Sequence, residues 1–142
     1  MAAHFFNFVN FIALIGWIIL IGFPGWKDTP KAILNGIVIM LCIFYFTILM
    51  QWMHIGGPGG FDTLAHVMLL FTNEKAALAG WIHYLAFDLF VGLWITQDAQ
   101  KIGLPRWALV LIQLFIYMVG PIGFGIYMIA RRRRTGEFIT SL

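Results

Sequence analysis

Apolar positions in this chain do not recur with the period of a one-sided helix. They run on, in stretches long enough to cross a bilayer core, which takes about 20 residues. Four such stretches are predicted to be helices, over about 4–23, 31–53, 76–97 and 107–130. Pro24-Gly25 and Thr29-Pro30 punctuate a short loop holding Lys27, Asp28 and Lys31, and Gly103 with Pro105 mark a second one between Asp98 and Arg106. Trp17, Trp26, Trp52, Trp81, Trp94 and Trp107 fall mostly near the predicted ends, as aromatic belts at a membrane interface do. The pattern predicts an all-α fold: a polytopic membrane protein, residues 1–142 forming one four-helix transmembrane bundle.

The about 22 residues between the second and third stretches are too many for a simple turn. His54-Ile55-Gly56-Gly57-Pro58-Gly59-Gly60 reads as a hinge, since no lysine followed by serine or threonine completes a phosphate loop. Asp62 is placed to cap a short helix over about 62–72 with Leu64, Val67, Met68 and Phe71 on one face, an interfacial or re-entrant segment.

Composition agrees with burial in lipid: 61% of residues are apolar, 11% are charged and the mean hydropathy is +0.89, where soluble domains carry about 25% charged residues. The one cysteine, Cys42, lies in an apolar run and makes neither a disulfide framework nor a thiolate metal site. The net charge of +3 is set by Arg131 to Arg134 at the end of the last apolar stretch. A basic cluster there marks a cytoplasmic end and suits anionic lipid head groups rather than nucleic acid. Four crossings put both termini on one side, so both are expected in the cytoplasm, with Lys75 beside the arginines and Lys27, Lys31, Lys101 and Arg106 opposite. The first stretch lacks a basic start and a small-x-small cleavage site, so it is expected to stay as a membrane helix, in a bacterial inner membrane.

Ionisable groups inside hydrocarbon are costly and usually face a bundle interior. Two sit well within a predicted span, His83 and Asp88. Five residues apart, they lie about 140° apart around a helix and share no face. Tyr84, Asp88 and Gly92 do share one. Desolvation favours the neutral acid at mid-span, which makes Asp88 a proton donor. Span four offers Gln113, Tyr117 and Gly120 at matching depth, and Pro121 frees the Tyr117 carbonyl for a kink that opens a polar site. Thr47, Gln51 and His54 form a stripe on span two at the depth of His83, Asn7 and Asn10. Two polar clusters are thus expected, around His83 and around Asp88. The plain alternative is that such groups only hydrogen-bond helices together. His54 and His66, without thiolates or carboxylates nearby, are not read as a metal site.

The run from Trp81 to Asp98, followed by Gly120-Pro121-Ile122-Gly123 and a basic exit, resembles the abscisic-acid-deficient type of small membrane protein needed for neoxanthin synthesis in plants, a family with many bacterial members. The resemblance spans the chain in length and layout and is sharpest over the third span and the Gly-Pro-x-Gly element. It implies a role in carotenoid or other isoprenoid metabolism. Turning an epoxy-xanthophyll into an allenic one is an isomerisation needing an acid, a base and no cofactor. The resemblance carries over to His83, Asp88, Gly120 and Pro121. Asp88, His83 and Tyr117 are therefore the candidate catalytic residues, and Tyr84, Gln113, Gly120, Pro121, Thr47, Gln51 and His54 the candidate ligand contacts. No metal or cofactor is expected, beyond a bound carotenoid or lipid. The competing reading is a non-catalytic pigment- or lipid-binding subunit, a homo-oligomer or a partner in a larger membrane complex.

Overall fold

In the computed structural model, which describes residues 2–138, the regular elements are helices: α1 (Ala2–Gly22), α2 (Thr29–Ile55), α3 (Leu64–Leu70), α4 (Glu74–Lys101) and α5 (Arg106–Thr135). The all-α expectation holds among the described residues, and four of the helices are long and apolar enough to cross a bilayer. Residue 1 and residues 139–142 of the predicted single domain lie outside the described residues. Over Ala32–Val38, α2 is wound as a π-helix.

Helix α4 is the axis of the molecule, packed by α1 and α2 and by α5. Small residues let the neighbours come close. A Cβ added to Gly16 of α1 would lie 2.6 Å from Leu89 Cδ2, and one added to Gly92 of α4 would lie 2.7 Å from Trp17 Cη2. Trp17 is accordingly a core residue rather than part of an interfacial belt. Ile82, Leu89 and Ile95 of α4 are fully enclosed. The outside of the bundle is apolar as well, with Phe11, Ile18, Phe46 and Met118 all more than half exposed (Met118 73%).

Helix α5 is not one rod. Val119 breaks it with φ −150° and ψ 68°, and the chain doubles back there into two arms, residues 106–118 and 120–135. In a continuous helix residues seven apart are separated by about 10 Å along the axis. A Cβ on Gly123 would instead lie 2.8 Å from the Cα of Ile116. The packing on α4 reports the same reversal. Gln113 Nε2 donates to Thr96 Oγ1 at 2.7 Å and Gly120 lies on Asp88, so the first arm climbs α4 toward its middle. Beyond Gly120 the order runs the other way. The Tyr127 ring meets Trp94 edge-on, the Tyr127 hydroxyl donates to Asp98 Oδ2, Arg131 Nε donates to the same oxygen at 2.7 Å, and Arg134 Nε donates to the Ile102 carbonyl at 2.9 Å.

This hairpin folds the fourth predicted stretch back on itself and sets the two ends of the described chain at opposite ends of the bundle. The N-terminal end of α1 lies beside Glu74 and Trp81, at one end of the bundle. The second arm of α5 finishes at the other end, beside Ile102. All nine lysines and arginines lie within the described residues. Lys27, Lys31, Lys101, Arg106 and Arg131 to Arg134 gather at the end where α5 starts and finishes, leaving Lys75 alone at the opposite end. Arg131 is not a head-group arginine: its side chain is buried against Asp98 and Tyr127.

The basic end is stitched together by donors to three carbonyls at and just past the C-terminal end of α1, where no further helical turn supplies partners. Thr29 Oγ1 donates to Phe23 O at 2.7 Å, Arg106 to Gly22 O at 2.9 Å and Gln100 to Pro24 O at 2.6 Å. At the opposite end α3 is capped by Thr63, whose hydroxyl accepts from His66 N, while Asp62 pairs with the His66 ring at 2.8 Å instead of capping. Leu64 and Met68 face outward, and the Phe71 ring packs on Gly80 of α4. Gly59, at φ +108°, lies so close to the backbone of His66 and Leu70 that no side chain fits there.

Candidate functional site

The apex of the hairpin rests on the middle of α4, and Asp88 is the residue beneath it. A Cβ on Gly120 would lie 2.8 Å from both Cγ and Oδ2 of Asp88, so only glycine lets the two backbones meet over the carboxyl. Asp88 Oδ2 is buried, and no hydrogen-bond partner reaches it among the described residues. A buried carboxyl oxygen left without a donor is rare in folded proteins and marks a place built for something other than stability. Tyr84 lies one turn away on the same face and interacts with this carboxyl. Its hydroxyl donates to the Tyr117 carbonyl at 3.0 Å. That carbonyl belongs to the last turn of the first arm and is left without an intrahelical donor by the break at Val119, so the i+4 release by Pro121 expected of a continuous helix does not apply. The Tyr84 hydroxyl is thus shared between the Tyr117 carbonyl and the Asp88 carboxyl.

Each residue of Gly120-Pro121-Ile122-Gly123 can now be read in these terms. Gly120 admits the Asp88 carboxyl, Pro121 stands in the first turn of the second arm where its missing N–H costs no helical bond, Ile122 lies 55% exposed at the apex, and Gly123 lets the returning arm lie on Ile116. Tyr117 enters the site through its backbone. Its ring turns away, edge-on to Trp17 at 5.7 Å, into an apolar groove of about 350 Å³ shared with Leu14, Ile18 and Leu114. Gln113 sits closer to the basic end, buried, with Nε2 on Thr96 and Oε1 unpartnered.

His83 does not join Asp88. It projects from the other side of α4, stacked on Phe87 at 4.5 Å between ring centroids and 5.8 Å from Tyr45. There it lines a pocket of about 100 Å³ with Trp52, Phe71 and Gly80. The polar cluster expected around His83 does not assemble. Asn10 accepts from Trp81 Nε1 at 3.0 Å, Asn7 is exposed, and Thr47, Gln51 and His54 lie on the exposed face of α2, the Thr47 hydroxyl turned back to Ile43 O. Helical wheel geometry separates His83 from Asp88 correctly, but it cannot say which neighbours fill each side.

A second constellation was absent from the sequence reading: Asp98, Tyr127 and Arg131. It closes the hairpin onto α4 at the basic end, and Arg131 also donates to Glu137 O at 3.0 Å. An acid at the end of one span and an arginine at the end of the next would have been the signal. It was hidden because a straight fourth span puts them at opposite faces of the membrane.

Residues 4–127 match the family described as ABA DEFICIENT 4-like, or ABA4-like, from the first turn of α1 to the tyrosine that closes the hairpin. The chain belongs to that family. Membership ties it to carotenoid and abscisic-acid metabolism. No curated protein and no solved structure matches it. The matched span of this ABA4-like chain includes Tyr84, Asp88 and the whole Gly-Pro-x-Gly apex.

Proposed function

We propose that this ABA4-like chain is an integral membrane protein that binds a carotenoid-type isoprenoid and isomerises it by proton transfer at Asp88, without a cofactor. The carrying observation is the buried, unpartnered Asp88 oxygen at the point where α5 breaks. Irregular backbone at membrane depth persists only where it is covered by protein or lines a cavity, and discontinuous helices are a recurrent way of building sites there. The apolar exterior supports insertion, with α1, α2 and α4 crossing and α5 entering and leaving by one face. Eight basic residues against one supports a cytoplasmic basic end, hence a cytoplasmic C-terminus and an N-terminus on the far side.

For an epoxide substrate the chemistry balances with one group. The Asp88 carboxyl gives its proton to the epoxide oxygen as the C–O bond opens. The carboxylate then takes a proton from the adjacent carbon, whose C–H electrons form the new double bond. The product is a hydroxylated isomer, the carboxyl is regenerated and nothing is oxidised. Tyr84 holds the carboxyl in place. His83, across α4, takes no part.

The competing reading is a pigment-binding subunit without turnover, and it is favoured by one observation: His83, the second candidate acid–base group, stacks on Phe87 on another side of α4 and does not join Asp88. Expressing the wild type and Asp88→Asn in cells that accumulate an epoxy-xanthophyll separates the two. Isomerisation predicts product from the wild type and a loss of at least about 100-fold in the variant, the usual worth of a general acid. Pigment co-purifying equally with both proteins, with no new product from either, supports the binding subunit. Product undiminished in Asp88→Asn rules out this carboxyl as the acid.

A further inference from the structure

The hairpin ends at mid-depth, so on its side of the bundle α5 does not cover α1 and α4 between the apex and the non-basic end. A groove of about 370 Å³ occupies this sector, lined by Ala3, Phe6, Ala77, Leu78 and Trp81, with Glu74 at its mouth. From Glu74 down to Asp88 is 14 residues of α4, about 21 Å. Trp81 forms the step between groove and site. Its indole is pinned by Asn10, and its ring lies 5.4 Å from that of Phe6 above and 5.4 Å from that of Tyr84 below.

We infer that this groove is the substrate's way in: an elongated apolar molecule enters from the leaflet facing away from the basic end and lies along α1 and α4 over Trp81, its oxygen-bearing end reaching Asp88. The inference rests on the carotenoid reading above and adds the route and the side. Two features select this occupant over an ordinary acyl chain or a second copy of the protein. The lower end of the path is a carboxyl oxygen lacking a partner, which only an oxygen-bearing end satisfies. From the basic end the approach is closed by Gln113 on Thr96 and by Asp98, Tyr127 and Arg131. The apolar groove between α1 and the first arm, lined by Leu14, Ile18 and Leu114, is the rival route.

The test places the full-length protein in phosphatidylcholine nanodiscs with zeaxanthin and reads the pigment-to-protein ratio after gel filtration. Ala77→Phe, which narrows the groove, is expected to lower retention at least tenfold, while Leu114→Phe, in the rival groove, leaves it within twofold. The reverse pattern, or no effect from either, overturns the route. If even the wild type retains no zeaxanthin, a second measurement isolates the fault. Nanodiscs of dibrominated phosphatidylcholine quench tryptophan emission, and the Trp81 contribution is taken by difference from Trp81→Phe. Quenching of Trp81 that Ala77→Phe relieves upholds the groove and condemns the carotenoid reading. Quenching that Ala77→Phe leaves unchanged overturns the groove.

Discussion

Two aspartates of α4, Asp88 and Asp98, both meet the hairpin, one at its apex and one at its base, and they are treated in opposite ways. Asp98 receives the Tyr127 hydroxyl and the Arg131 guanidinium on one oxygen. Those donors, with Lys101 nearby, are what a charge removed from water requires. Asp88 receives a glycine and keeps an oxygen unpartnered. A carboxyl paired with a guanidinium and a hydroxyl holds two helices together, whereas one with a buried oxygen left unpartnered has bonding capacity to spare. The same helix supplies both within ten residues, and the break at Val119 allows one hairpin to reach both.

The strongest way to break this comparison is to show that no hairpin exists. In a Cys42→Ser background, a membrane-impermeant maleimide added to intact cells should label Ala3→Cys but not Thr135→Cys until the cells are opened. Labelling of both from the same side would restore a fourth crossing and separate Asp98 from Arg131. Next in size is the base. Asp98→Ala leaves Arg131 buried without its acid and should lower the thermal midpoint in detergent by several degrees, whereas Asp88→Asn should leave it nearly unchanged. Pairing Asp98→Leu with Arg131→Met should recover much of the loss, since apolar replacements of a buried ion pair are often neutral. Equal effects at the two aspartates would erase the distinction. Gly120→Val should force the arms off the carboxyl at a cost of about 1–3 kcal/mol, measured by chemical unfolding, with product formation lost as well. Gly125→Val, with nothing within 4 Å of its added Cβ, is the near-silent control. Smallest is Tyr84→Phe, which leaves the Tyr117 carbonyl unpaired and should cost about 0.6–1.7 kcal/mol, as single hydrogen bonds between membrane helices do.

The helices, their apolar character and the shared face of Tyr84, Asp88 and Gly92 were all readable in the sequence, because long uncharged runs fit only helices that are apolar all round. The turn at Val119 was not. Residues 107–130 carry the same apolar signature whether they cross a bilayer or fold in half within it. Pro121 announces a disturbance but not its angle. The reversal depends on Gly123 meeting Ile116 and on Arg131 meeting Asp98, both of which are tertiary facts. Orientation suffered with it: a fourth crossing divides the basic residues five against four, and the hairpin gathers eight of them at one end. His83 shows the converse. Its separation from Asp88 followed from helical geometry alone, while its real neighbours, Tyr45 and Phe87, did not.

The four arginines that finish α5 bear on how the chain reaches its folded state. On the proposed topology the second arm returns to the end from which the first set out, so none of these charges has to be carried through the bilayer during synthesis. The contacts of that arm, Arg131 on Asp98 and Gly120 on Asp88, require α4 to be in place. The site is thus completed last, so a chain truncated before Arg131 should insert its three crossing helices normally and yet have no closed apex over its acid.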